Sequence, residues 1–215
     1  MDRKARGWHF TDDKPKLRSL VGFVDLDKCE LLSEDRPRKA LELCDAARDY
    51  GNNAAFWSTR GYVLTRLERY DEAIDSLDRA LEILPQDVES LDRRGYALIK
   101  QTRYEEASHD LVLATRLNPV HQSAEQNLHH ALAKLTLVAY SAVSAGNVDE
   151  GIETYNRVLA VHPRYTDALI HRGYAHAKKG DLERAERDYR HAIDVDDDNI
   201  ETYRPRPGVV QTEAA

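Results

Sequence analysis

The sequence predicts an all-α chain of stacked helical hairpins, an α-solenoid, and three observations carry that expectation. The chain repeats itself every 34 residues, its apolar residues recur at helical spacing inside each period, and proline or glycine marks the period ends. Gly61 and Gly95 stand one period apart, as do Tyr62 and Tyr96, Tyr70 and Tyr104, Ala73 and Ala107, Leu77 and Leu111, Ala80 and Ala114, and Pro85 and Pro119. The period returns in Tyr140 and Tyr174, Gly146 and Gly180, Gly151 and Ala185, and Tyr155 and Tyr189. Between the two sets the register slips by ten residues, from Pro119 to Pro163.

Taken in order, residues 1–16 are polar and expected to be extended, with Trp8-His9-Phe10 the exception. That triplet is read as folding back over the first helix pair, with a short docking motif as the alternative. Val21 to Leu32 reads as a helix and Arg36 to Tyr50 as its partner, with Ala40, Cys44 and Ala47 on the packing side and Gly51-Asn52-Asn53 ending it. Residues 17–53 are thus expected to form a degenerate helix pair. Four repeats follow, at 54–87, 88–121, 122–165 and 166–199.

Within the repeats, small residues of the first helix (Gly61, Gly95, Ala139, Gly173) meet small residues of the second (Ala73, Ala107, Gly151, Ala185). Larger side chains there would push the axes apart, at about 1–3 kcal/mol each. Ala73, Leu77, Ala80, Leu81 and Leu84 give the second helix an apolar stripe. Pro85, Pro119 and Pro163 stop each hairpin, while Gly146-Asn147 and Gly180-Asp181 end one helix and cap the next. No proline or glycine interrupts Gln122 to Ala145. That stretch predicts one helix of 24 residues, roughly 36 Å long, which extends past its neighbours and splits the array into two blocks. Residues 200–215 contain Arg204-Pro205-Arg206-Pro207-Gly208, which forbids a long helix. They read as a flexible tail, and the last hairpin is left with an apolar edge for a partner, a second copy or the tail to cover.

These residues resemble the tetratricopeptide repeat (TPR) family, whose pattern reads W-x2-L-G-x2-Y, then A-x3-F, then P. The first repeat carries Trp57, Gly61, Leu64, Tyr70, Ala73, Leu77, Ala80 and Pro85, and the second Leu91, Gly95, Leu98, Tyr104, Ala107, Leu111, Ala114 and Pro119. The third, counted from Leu132, has Leu135, Ala139, Gly151, Tyr155, Val158 and Pro163. The fourth has Leu169, Gly173, Leu182, Ala185, Tyr189 and Ala192, with Asp197 in place of proline. The likeness covers about two thirds of the chain. It implies a right-handed α-solenoid of TPR hairpins, a non-enzymatic scaffold or adaptor, and a concave groove lined by the first helix of each hairpin.

In that family, groove positions fall at the second, fifth, ninth, twelfth and thirteenth places of a repeat. The ninth place here is tyrosine in all four repeats: Tyr62, Tyr96, Tyr140 and Tyr174. Around them the resemblance places Ser58, Thr65 and Arg66; Asp92, Ile99 and Lys100; Thr136, Val143 and Ser144; and Ile170, Ala177 and Lys178. A tyrosine ladder offers large contact area at low entropy cost and a hydroxyl for peptide groups. The same residues could instead pack between repeats and shape the superhelix. Family members that clamp the acidic tails of heat-shock chaperones use Lys, Asn and Arg at set places. Those places hold Ser58, Tyr62, Arg93, Ala133 and Leu137 here, or Asp92, Tyr96, Leu137, Asp167 and His171 one repeat on, so no carboxylate clamp is expected.

Composition narrows the classes further. A net charge of −7 over 215 residues argues against general nucleic-acid binding and against an anionic membrane surface. No run of about 18 apolar residues suggests a spanning helix, and the basic stretch Met1 to Gly7 is not followed by a leader-like apolar segment, so a cytoplasmic setting is expected. Cys29 and Cys44 read as two reduced, buried thiols in preference to a redox pair. His129-His130 and His171/His176 lack metal-ligand spacing, so no metal site is expected. Asp194 to Asn199 lacks the glycine of a calcium loop. No phosphate-binding or nucleophile motif occurs, and carboxylates such as those of Glu183-Arg184 and Glu186-Arg187 read as solvent-facing partners of Arg or Lys. Neither catalytic residues nor a cofactor are expected. The leading expectation is a scaffold that binds a segment of another protein in the groove. The alternatives are a structural protein that self-assembles through its uncapped last hairpin and, less favoured, an α-solenoid that stacks RNA bases on the tyrosines.

Overall fold

The computed structural model describes Cys29, residues 31–46 and residues 52–200, without the side chains of 197–200. Among the described residues the regular structure is helical throughout, as the period requires. The chain forms two compact units that divide between Gln101 and Thr102, inside the second repeat. The break expected at the register slip, from Gln122 onward, is therefore placed earlier.

In the N-terminal unit, Cys29 and Leu31–Leu32 are helical. They precede α1 (Pro37–Ala46), α2 (Ala54–Arg66), α3 (Tyr70–Ile83) and α4 (Val88–Lys100). Pro37 opens α1, where a missing N–H costs nothing. Asn53 caps α2, its side-chain oxygen accepting from the amides of Ala55 and Phe56 at 3.0 and 3.3 Å. Asp87 caps α4 in the same way through the Ser90 amide. Cys29, Ala40, Leu41, Cys44, Phe56, Val63, Leu64 and Ala73 form one buried cluster. The hairpin of α2 and α3 is as close as the small residues predict: a Cβ on Gly61 would lie 2.5 Å from Leu77 Cγ and 3.1 Å from the Ala73 carbonyl.

The two cysteines depart from expectation. Both are buried, but they are joined in a disulfide, not held as separate thiols. Packing of the Cys29 turn on α1 brings their Cα atoms to 6.0 Å, within reach of one bond. Residues 1–16 with Trp8-His9-Phe10, Val21 to Lys28, Ala47 to Gly51 and the segment from Glu201 onward lie outside the described residues.

In the C-terminal unit come α5 (Tyr104–Leu117), α6 (Gln122–Ser144), α7 (Val148–Val161), α8 (Thr166–Lys178) and α9 (Leu182–Ile200). The long helix is real, at 23 residues, and His121 Nδ1 caps it by accepting from the Ala124 amide. It buries Ala124, Leu128, Ala131, Leu132, Thr136, Ala139 and Val143, one stripe along its whole length, and packs on α5 and α7. Gly146 and Gly180 adopt φ of +97° and +86° after their helices, as a helix-ending glycine does. Asp181 caps α9 by accepting from the Arg184 amide at 3.1 Å. Asn147 makes no side-chain cap bond, contrary to expectation.

Not all carboxylates face solvent. Asp92, Asp110 and Asp188 are buried, which corrects the reading of a uniformly solvated charge pattern. Arg172 grips Asp188 through two hydrogen bonds of 2.6 and 2.8 Å and reaches Asn156 with its third nitrogen. Arg60 bridges Asp45 and Ser76 in the same way, and Arg94 reaches Asp78. These arginines share the seventh place of their repeats and tie the second helix of one hairpin to its neighbour. On α9 the exposed pairs run one turn apart, Arg187 to Glu183 and Arg190 to Glu186, instead of between adjacent residues.

Candidate partner-binding faces

The ninth-place tyrosines lie on first helices, two in each compact unit. In the N-terminal unit α2 and α4 pack on each other. Ser58, Thr65, Asp92 and Ile99 are buried there. Thr65 spends its hydroxyl on the Gly61 carbonyl one turn back. Tyr62 is enclosed. The Arg93 guanidinium lies 4.8 Å above its ring and also donates to Ser58 Oγ at 3.1 Å. The Tyr62 hydroxyl donates to Glu34, and Glu34 also pairs with Arg66 at 3.3 Å. Tyr96 is 38% exposed, but Lys100 Nζ sits 5.0 Å from its ring centre. The hydrogen bond with Tyr96 holds the Lys100 ammonium above its ordinary range. This face is therefore an ionic lattice laid over two aromatic rings.

The C-terminal unit presents a different surface. Its first helices are α6 and α8, which also touch. Thr136 and Val143 are buried, Ala177 is half-buried and Ser144 is exposed. Lys178 Nζ donates to the Val143 carbonyl at 2.8 Å and so ties the end of α8 to the end of α6. Tyr140, Ile170 and Tyr174 keep 44, 42 and 48% of their surface exposed, and Leu137 keeps 56%. Tyr140 stands edge-on to His171 with ring centres 5.3 Å apart, and His171 stacks on Tyr155 at 6.3 Å. Tyr155 is fully buried, and burial first, then Tyr140, pushes its hydroxyl up to about 12. A buried aromatic column thus props up Tyr140 from behind and leaves its outer side open.

Sequence reasoning placed the tyrosines and missed what touches them. The sixth-place residue of the following repeat does: Arg93 covers Tyr62 and His171 supports Tyr140. The seventh-place arginines were also legible, because Arg60, Arg94 and Arg172 each stand where the W-x2-L-G pattern has leucine. In the third repeat that place is Val138, which is 53% exposed. Among the described residues no group of three or more His, Cys, Asp or Glu could hold a metal ion, and no helix is long and apolar enough to cross a membrane.

Paired helices with small-residue contacts and partly exposed tyrosines on their first helices define a helical-repeat protein of the protein-interaction class. Models of the tetratricopeptide repeat family match residues 54–87, 88–121 and 138–199, and the chain belongs to that family. No curated protein sequence matches it. Its fold is similar to that of the Arabidopsis OM64 TPR domain, with TM-score 0.51 and 23% identity over 53% of this chain and 96% of that one. MamA from Desulfovibrio magneticus RS-1, residues 41 to its end, gives 0.47 and 21% identity over 86% and 97%. YrrB, a TPR protein with an unusual peptide-binding site, gives 0.48 and 22% over 88% and 95%.

Proposed function

We propose that this protein is an adaptor that recognises a segment of a partner protein, and that recognition centres on the face formed by α6 and α8. The observation that carries this reading is the half-exposed set Leu137, Tyr140, Ile170 and Tyr174 on two touching helices. A tyrosine can bury about 150–250 Å² in a contact and still offer a hydroxyl to peptide groups. Its stiff side chain loses little freedom on binding. Tyr140 is already oriented by His171, which lowers that cost further. Ser144, Ala177 and Lys178 flank this face, whereas Tyr62, Arg66, Tyr96 and Lys100 form a charged surface with its rings already occupied.

A peptide library displayed against the full chain tests this. Selected peptides are expected to bind at micromolar strength and to lose most of it in the Tyr140→Ala, Tyr174→Ala double variant. Peptides whose binding falls only in Tyr62→Ala, Tyr96→Ala would overturn the assignment.

A second reading has its own observation. Leu182, Tyr189 and Ile193 leave an apolar stripe on the outer side of α9, 69, 36 and 58% exposed. Such a stripe suits a second copy. Light scattering at rising concentration separates the readings: a strict monomer removes self-assembly.

A further inference from the structure

We infer that residues Tyr203–Val210 of this chain are themselves a ligand of the α6–α8 face, so that the protein carries a competitor for its own partner. The inference rests on the reading of that face as the recognition surface.

The sequence of the segment supplies the first argument. Tyr203-Arg204-Pro205-Arg206-Pro207-Gly208-Val209-Val210 has two alternate prolines, which fix φ and remove two donors. Such a stretch is biased to the polyproline II form before it binds, and aromatic-lined grooves take that form because little entropy remains to be lost. Tyr140 and Tyr174 supply the aromatic lining, and Leu137 and Ile170 add apolar surface beside them.

Position supplies the second. α9 ends at Ile200, and near that end Thr166 Oγ1 donates to Asp196 at 3.4 Å. The chain therefore leaves α9 beside the start of α8. From there Asp167, Ile170 and Tyr174 follow one another along α8, each exposed. In polyproline II form, Arg204 to Val210 spans about 19 Å, and Asp167 to Lys178 spans about 17 Å of helix. The segment begins close to the face it would cover and has the length to cover it.

Charge supplies the third. Asp167 is exposed in the first turn of α8, where Arg204 or Arg206 would meet it. The other apolar surface within reach is the α9 stripe. It offers one tyrosine, and although Asp194 is exposed beside Ile193, Arg187 and Arg190, paired with Glu183 and Glu186, would repel the arginines of the segment.

Photo-crosslinking in the full chain tests the inference, with p-benzoylphenylalanine replacing Tyr174 in one preparation and Ile193 in another. The expected result is a crosslink from position 174 to residues 203–210 within one chain, with a yield independent of protein concentration. Crosslinks to the segment from position 193 alone, crosslinks between chains, or none to the segment would each overturn it. A competition supplies the second measurement. In the variant Pro205→Gly, Pro207→Gly, Val209→Ser, Val210→Ser, a library-selected peptide is expected to bind about tenfold tighter, as it would if the native face is free about a tenth of the time. Equal binding to both chains overturns the inference and leaves the recognition face standing. Failure to select any peptide removes the recognition face itself, and the crosslink alone then decides the inference.

Discussion

Tyr62 and Tyr140 hold the same place in their repeats and meet opposite fates. Tyr62 lies under the Arg93 guanidinium with its hydroxyl on Glu34, while Tyr140 rests its edge on His171 and shows its other side to solvent. Both contacts come from the sixth place of the next repeat. A long cation there folds over the ring, whereas a shorter imidazole reaches only its edge and continues inward to Tyr155. The repeat fixes where the tyrosine stands, and one neighbouring residue decides whether it is available. A ladder of identical residues is therefore not a ladder of identical sites.

The two units also differ in how firmly their hairpins are latched, and there the largest effect is expected. Asp188 keeps only 9% of its side-chain surface, so Arg172→Met leaves a buried, unpartnered carboxylate at a cost of about 3–5 kcal/mol. Asp45 is 39% exposed, and solvent takes over when Arg60→Met removes its partner, at about 1 kcal/mol or less. Urea unfolding of both variants checks this, and equal losses would break the comparison.

Next in size is the effect on binding. For a peptide selected on the full chain, Tyr140→Ala with Tyr174→Ala is expected to weaken affinity about 30-fold, roughly 2 kcal/mol. Tyr62→Ala with Tyr96→Ala should change it less than about twofold, because those rings already have partners. Titration calorimetry gives both numbers. A smaller change sharpens the contrast: His171→Ala removes the edge contact that orients Tyr140 and is expected to weaken binding by about 1 kcal/mol. Unchanged affinity would mean that Tyr140 needs no support from behind.

The hairpins were legible because period, small residues and helix breakers all bear on backbone geometry that a local stretch determines. The long α6 was legible for the same reason, since nothing between Gln122 and Ser144 can stop a helix. What stayed hidden depends on residues distant in the chain. Ser58, Asp92, Thr136 and Val143 stand at groove places and are buried by neighbouring helices, which no spacing rule shows. The pairing of Cys29 with Cys44 needs their Cα separation, which no spacing rule supplies. Asn147 and Asp181 look alike as caps, yet only Asp181 turns its side chain onto a helix amide. Lys178 stands at a groove place, and its bond to the Val143 carbonyl joins residues 35 apart in the chain.

The last difference between the units is their response to acid, and it follows from where histidine lies. Among the described residues the N-terminal unit has no histidine, whereas the C-terminal unit holds two that burial pushes below their ordinary value of 6.5. His162 lies tilted against His129 and edge-on to Tyr165; a backbone hydrogen bond offsets its burial in part, and the neighbouring His129 lowers it further. His176 is buried with an Nδ1 that has no partner among the described residues. Asp188 and Asp181 offset its burial in part, against Arg172 and Arg184. Because the folded protein binds these protons less readily than the unfolded chain, their contribution is fully present above about pH 6.5 and is lost as pH falls below it toward the folded values. Hydrogen exchange between pH 7.5 and pH 5.5, corrected for intrinsic rates, should show protection falling in α7 and α8 while α2 to α4 hold theirs. Replacing both residues, His162→Phe with His176→Phe, should flatten that loss. A parallel decline in both units would place the acid response in the carboxylates and not in the buried imidazoles.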